Sequence, residues 1–154
     1  MSDFWKLFRS DTIRVGLEAT EKDAVLSELL ELTVEAGRIE PGVRDELLAA
    51  LREREKIGST GIGAGIAIPH VKNDAVTETI TAVGVASSPI EYDAVDGEPC
   101  DLFILLISPA SQAENHLQIL RWLSSVVRHP DFGRFLRTTK TSKDAAGLFK
   151  ELGE

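Results

Sequence analysis

Arg54-Glu55-Lys56-Ile57-Gly58-Ser59-Thr60-Gly61-Ile62-Gly63-Ala64-Gly65-Ile66-Ala67-Ile68-Pro69-His70 strings three kinds of element together: the charged end of a helix, a glycine-rich loop and a short apolar strand. Glycines let backbone approach a ligand closely and leave N–H groups free to bind an anion. The run Ile66-Ala67-Ile68-Pro69-His70 delivers His70 at the carboxyl end of a strand, where ligands bind in open α/β sheets. Arg54, at the end of the helix leading into the loop, brings a planar guanidinium suited to bidentate phosphate binding.

Outward from this stretch the pattern alternates between strands and helices. Ile13, Val15 and Leu17 alternate as in a half-buried strand. Thr20 reads as an N-cap, with Asp23 three residues on, and opens a helix that ends at Gly37. Pro41 reads as the first residue of a second helix, with Val43, Leu47, Leu48 and Leu51 on one face, that stops near Gly58. Thr79 to Ala86 forms a strand, Pro89 to Tyr92 a short edge strand, and Asp96-Gly97 a turn. Leu102 to Ile107 is a continuous apolar run, as expected of a central strand covered on both faces. Ser111 and Glu114 have capping-box spacing and open a helix with Leu117, Leu120, Leu123 and Val127 on its buried side. His116 sits near the start of that helix, where anions are favoured. A short helix from Pro130 to Arg137 and a last one from Ser142 to Leu152 complete the chain. The expected fold is α/β: one domain spanning residues 1–154, a sandwich with a mixed central sheet flanked by helices.

The 154 residues are enough for one ordinary domain with a proper core. The formal net charge of −8 argues against a nucleic-acid binder, which needs a basic face. A small anion site made of one arginine and a few backbone N–H groups is compatible with it. No apolar run approaches the length that spans a bilayer, so no membrane insertion is expected. Met1 to Ser10 is too short and too charged for a signal peptide, and its Phe4, Trp5, Leu7 and Phe8 are expected to pack on the body of the domain. Cys100 is the only cysteine, which fits a reducing cytoplasm and leaves it a small buried hydrophobe.

The convergence of His70, Arg54, His116 and the loop points to phosphoryl chemistry. A neutral imidazole is a nucleophile at cell pH. Phosphoryl transfer asks a protein mainly for positioning and charge stabilisation. A donor protein must also reach the histidine, so the site is expected to be shallow and rimmed by apolar surface.

The Arg54–His70 segment resembles enzyme IIA domains of the bacterial phosphotransferase system, mannitol/fructose class, and its Gly-Ser-Thr-Gly-Ile-Gly run is most similar to the nitrogen-regulatory branch. The spacing matches too: Arg54 lies 16 residues before His70 and His116 lies 46 after it. The resemblance implies that His70 accepts a phosphoryl group from an HPr-like phosphocarrier protein or its nitrogen-branch relative, with His116 and Arg54 in support. It implies no cofactor and no resident metal. It leaves two downstream roles open: handing phosphate to a IIB domain in sugar uptake, or contacting a regulatory target. With no IIB or membrane IIC segment in this chain, the regulatory role is preferred. A third reading, an interaction module without phosphorylation, is opposed by the intact His70, His116 and Arg54. Val71 stands where a small residue is common and Ala64 where a polar one is common, departures that bear on the partner more than on the chemistry.

Plainer readings stand beside these. Ser59 and Thr60 fit a phosphoryl cradle with Gly63 and Gly65, or simple turn capping. Arg54 fits the site better than an ion pair with Glu53 or Glu55. His129, before Pro130 at a helix end, reads as structural. Asp93 and Asp96 flank a turn. The glycine loop is not a phosphate-binding P-loop, since no Lys-Ser/Thr follows in register.

Overall fold

In the computed structural model, which describes residues 3–154, the apolar run Cys100–Ser108 is the axis of the molecule. It forms β6, and its residues 102–107 are fully buried. Alternation divides them: Phe103, Leu105 and Ile107 point into one core, Leu102 and Ile104 into the other. Continuous hydrophobicity therefore reports burial on both faces, as a central strand requires.

Five further strands complete one mixed sheet: β1 Ile13–Leu17, β2 Gly61–Gly63, β3 Ile66–Ala67, β4 His70–Lys72 and β5 Ile80–Ile90. The order is β1-β5-β6-β3-β2, with β4 also alongside β6. β5 runs antiparallel to β6, whereas β1 pairs with β5, and β3 and β4 with β6, in parallel. The helices α1 Lys22–Glu35 and α2 Arg44–Ile57 cover one face. The other is covered by α3 Ala113–Val127, α4 Pro130–Thr138 and α5 Ser142–Gly153. The α/β expectation with a mixed, helix-flanked sheet is met.

The amino-terminal aromatics pack where expected. Phe8 is buried, its ring stacked 4.3 Å from Phe149, and Phe4 sits edge-on to Trp122. Met1 and Ser2 of that expectation lie outside the described residues.

Local boundaries differ from the sequence reading in instructive ways. Ile13, Val15 and Leu17 do not share one face: Ile13 joins the α3–α5 core and Leu17 the α1–α2 core. Gly16, at φ +94°, sits in the register break that turns the strand over, and Leu17 fills the space a Cβ on Gly84 would occupy. Thr20 is not the cap of α1. Glu21 holds that position without a side-chain cap bond, while the Glu28 carboxylate accepts the Glu18 and Ala19 amides at 2.8–3.1 Å and ties down the approach. Pro41 opens a short 3-10 turn, and α2 starts at Arg44. The expected strands 79–86 and 89–92 are one bulged strand, β5, that ends at Ile90 and leaves Thr79, Glu91 and Tyr92 outside it.

The capping box is absent. Ser111 lies in a 3-10 turn and donates its amide to Asp74, and α3 begins after Gln112 with no side-chain cap. The buried face of α3 is also rotated from the leucine pattern: His116, Ile119, Leu123, Val126 and Val127 face inward, and Leu117 is 42% exposed.

Candidate functional site

The expected Ile66–His70 strand is broken into β3 and β4, both paired in parallel to β6. Pro69 has no N–H to give a ladder, which interrupts the pairing there. His70 therefore begins β4 instead of ending a strand, opposite Leu106 near the carboxyl end of β6. The break leaves the Ile68 carbonyl outside the ladder, and His70 Nδ1 lies 2.7 Å from it. A carbonyl only accepts, so Nδ1 carries the proton and Nε2 keeps the lone pair.

The second histidine reaches the same place by a different route. β6 ends at Ser108, the chain turns through Pro109–Gln112, and α3 places His116 in its first turns. His116 Nδ1 is 2.7 Å from Ser108 Oγ, and the ring is 4% exposed. The His70 and His116 ring centroids are 5.8 Å apart, tilted by 45°. Neither Nε2 has a hydrogen-bond partner, yet among the described residues no buried side-chain nitrogen or oxygen lacks one. Both Nε2 atoms are thus open to the groove that the two rings line.

That groove holds about 850 Å³. Arg54, Lys56 and Lys72 bring positive charge to it; Ile57, Val71, Leu117 and Leu120 form its apolar wall. Ile57 is 84% exposed at the rim. Arg54, on the last turn of α2, donates from Nη1 to the Gly58 carbonyl at 2.8 Å, which fixes the guanidinium against the helix end.

The electrostatics keep both rings neutral. Burial lowers the pKa of His70, and the charges of Arg54 and Lys72 push the same way, against the Ile68 hydrogen bond and Glu55. Burial lowers His116 to about 4, with His70 and Lys72 contributing. Uncharged imidazoles beside fixed cations make a nucleophile in a field that favours an arriving dianion.

The glycine segment does not cradle this groove, and none of Ser59, Thr60, Gly63 or Gly65 lines it. Instead the segment forms the β2–β3 hairpin, turning at Ala64-Gly65 with positive φ at residues 63–65. Ser59 Oγ donates to the Tyr92 carbonyl and accepts the Gly61 amide. Thr60 is 3% exposed, and its hydroxyl is taken by Glu55 and Tyr92. Arg137 caps the turn, donating to the Ala64 carbonyl at 2.6 Å and pairing with Asp101 at 2.8 Å. The Ser59 and Thr60 hydroxyls are thus engaged within the fold, and the four residues expected as a cradle stand outside the lining of the groove.

Cys100 is buried, and its thiol is pushed up to about 11, first by burial and then by neighbouring carboxylates. His129 accepts the Asp131 amide as the cap of α4, a structural role. Lys72 and Ser108 escaped the sequence reading. Lys72 had a signal, since two residues from His70 in a strand puts it on the same side. Ser108 had none, because the eight-residue span to His116 crosses a turn.

Among the described residues no helix is long and apolar enough to cross a membrane. The family described as "Phosphoenolpyruvate-dependent sugar phosphotransferase system, EIIA 2" matches residues 6–152. The PTS system fructose-specific EIIA component of Haloferax volcanii is 38% identical over 133 residues, covering 86% of this chain and 85% of that protein. The nitrogen regulatory protein of Escherichia coli is 35% identical over 134 residues, covering 85% and 79%. The crystal structure of nitrogen regulatory protein IIA-Ntr from Neisseria meningitidis superposes with a TM-score of 0.86 at 25% identity, over 96% of this chain and 99% of that one. On this match the chain belongs to the EIIA 2 family of the phosphoenolpyruvate-dependent sugar phosphotransferase system.

Proposed function

We propose that this protein is a cytoplasmic phosphoryl carrier, a single EIIA domain over residues 1–154, with His70 Nε2 as acceptor. The observation that carries the reading is the 2.7 Å contact of His70 Nδ1 with the Ile68 carbonyl, which leaves Nε2 unprotonated at a groove lined by Arg54, Lys72 and His116. In the transfer, the Nε2 lone pair attacks the phosphorus of a phosphohistidine on an HPr-like donor. The P–N bond on the donor breaks as the new one forms. Arg54 and Lys72 offset charge on the equatorial oxygens. His116, neutral and held by Ser108, offers its Nε2 beside them. The exposed Ile57 and Leu117 give the donor an apolar landing.

Downstream, a regulatory role is favoured by the likeness in fold and sequence to nitrogen regulatory proteins. The identity to a fructose-specific component supports a second reading, transfer to a IIB domain.

The test combines the purified protein with enzyme I, HPr or its nitrogen-branch relative, and phosphoenolpyruvate, followed by intact mass and acid lability. The expected result is an acid-labile phosphoryl adduct on the wild type and none on His70→Ala. Onward transfer to a fructose-type IIB domain would assign the sugar role. No adduct with either donor, with active controls, overturns the carrier reading.

A further inference from the structure

The charge of this chain is unevenly spread. Residues 115–143 carry six Lys and Arg against one Asp, a net of +5, so the remainder of a chain at −8 carries −13. This positive segment runs from the first turn of α3 through α4 to the start of α5, with Lys140 and Lys143 beyond α4; α3 through α4 (113–138) hold four of its arginines against Glu114 and Asp131.

Four of its six cations, Arg121, Arg128, Arg134 and Arg137, meet a continuous surface track. Leu117, Leu120, Arg121, Ser124, Ser125 and Arg128 line a shallow groove of about 540 Å³ along α3. The groove shares Leu117 and Leu120 with the His70 groove at one end. At the other it shares Ser124 and Arg128 with a groove of about 680 Å³ that also takes in Arg134 and Arg137. No carboxylate lines either of these last two grooves. By contrast, the groove over α1 and α2 is crowded with carboxylates, several of them already paired to arginines.

The individual cations differ in how free they are. Arg137 is committed to Asp101 and the Ala64 carbonyl, and Arg134 to Asp131. Among the described residues Arg121 and Arg128 enter no ion pair. Arg121 lies on α3 and Arg128 at its C-cap, seven residues or two helical turns apart, about 10.5 Å, on the face that exposes Leu117.

We propose that this track is a docking surface for an amphipathic acidic helix of a protein partner. Leu117 and Leu120 receive its apolar side, and Arg121 and Arg128 receive carboxylates two turns apart. A helix lies naturally along the ridge of another helix, and 15 residues of α3 give it about 22 Å of contact. Charge complementarity selects the acidic partner: the net-acidic remainder, above all the carboxylate-rich α1–α2 face, repels it and orients its approach. The leucines beside Arg121, and the small number of free cations, favour a protein over a nucleic acid, whose binding rests on neutralising many phosphates. The inference is independent of whether His70 accepts a phosphoryl group.

The experiment uses the full chain and a fluorescein-labelled synthetic helix carrying leucines and glutamates at two-turn spacing. A lysine-for-glutamate counterpart and a single-stranded oligonucleotide serve as competing probes. Anisotropy at low and at physiological ionic strength is read beside amide shift mapping of the wild type. The expected result is saturable, salt-weakened binding of the acidic helix, with shifts confined to α3 and the start of α4. An Arg121→Glu/Arg128→Glu variant, checked for an unchanged melt, should bind about tenfold more weakly. The proposal is overturned by shifts elsewhere, by equal binding of the lysine counterpart, or by tighter binding of the oligonucleotide. Concentration-dependent self-association centred on this face, in place of peptide binding, overturns it as well.

Discussion

The His70 groove and the β2–β3 hairpin sit within one run of seventeen residues, yet they divide its labour. Arg54 and His70, at the two ends of the run, line the groove. Lys56 and Ile57 line it too, whereas residues 59–67 fold back as a hairpin arm whose polar groups bind Glu55, Tyr92, Asp101 and Arg137. On the proposed function the two ends of the run serve chemistry, and its middle serves architecture.

This division predicts two classes of variant. Changes in the groove should cost transfer rate and leave stability alone; changes in the hairpin should do the reverse. The largest expected effect is Arg54→Ala, which removes fixed charge from the groove. The rate of phosphoryl transfer to His70 should fall by about 10²-fold or more, while the melting temperature, read by differential scanning calorimetry, changes little because the half-buried side chain lines the groove and hydrogen-bonds only a helix-end carbonyl.

His116 bridges the two classes, since it is both buried and in the groove. Its folded pKa of about 4 lies below the unfolded value near 6.5. The unfolded chain therefore binds the proton first, and stability is full above about pH 6.5 and lost as pH falls toward 4. The loss attributable to this group is up to about 3 kcal/mol. His70, shifted in the same direction, adds to it. Urea titrations across that window should show the slope, and His116→Gln should flatten it.

On the hairpin side, Gly65→Ala should be costly. Gly65 has φ +79°, and a Cβ there would meet Arg137 Nη2 at 2.5 Å and Asp101 Oδ1 at 2.8 Å, displacing the clamp on the turn. The expected destabilisation is about 2 kcal/mol, with transfer rate per folded molecule unchanged. Thr60→Val is the mildest test. It removes the hydroxyl that Glu55 and Tyr92 share, although Lys22, 3.0 Å from Glu55, keeps that carboxylate paired. The expected loss is about 1–2 kcal/mol by chemical denaturation, again without a change in rate. A large rate defect in either hairpin variant would erase the distinction between the two regions.

The sequence made the layers legible and the joints obscure. The run 102–107 announced a central strand because burial on both faces leaves no alternation. The helices showed in their periodicity. What failed were features settled by single contacts: Glu28 tying the entry to α1 in place of a Thr20 cap, Asp74 taking the Ser111 amide in place of a capping box, and Gly16 turning β1 over. At the site, His70, Arg54 and His116 were legible as residue types at matched spacing. Their partners Ile68 and Ser108 were not, because a backbone carbonyl and a hydroxyl across a turn leave no mark in a residue pattern.

The central claim is that His70 reacts through Nε2 because the Ile68 carbonyl holds Nδ1 protonated. Long-range ¹H–¹⁵N correlation spectra of the ¹⁵N-histidine-labelled protein, before and after phosphorylation by the donor system, read this directly. The account predicts a protonated Nδ1 before transfer and the phosphoryl group on Nε2 of His70 afterwards, with His116 unmodified. A phosphoryl group on Nδ1, or on His116, would contradict it.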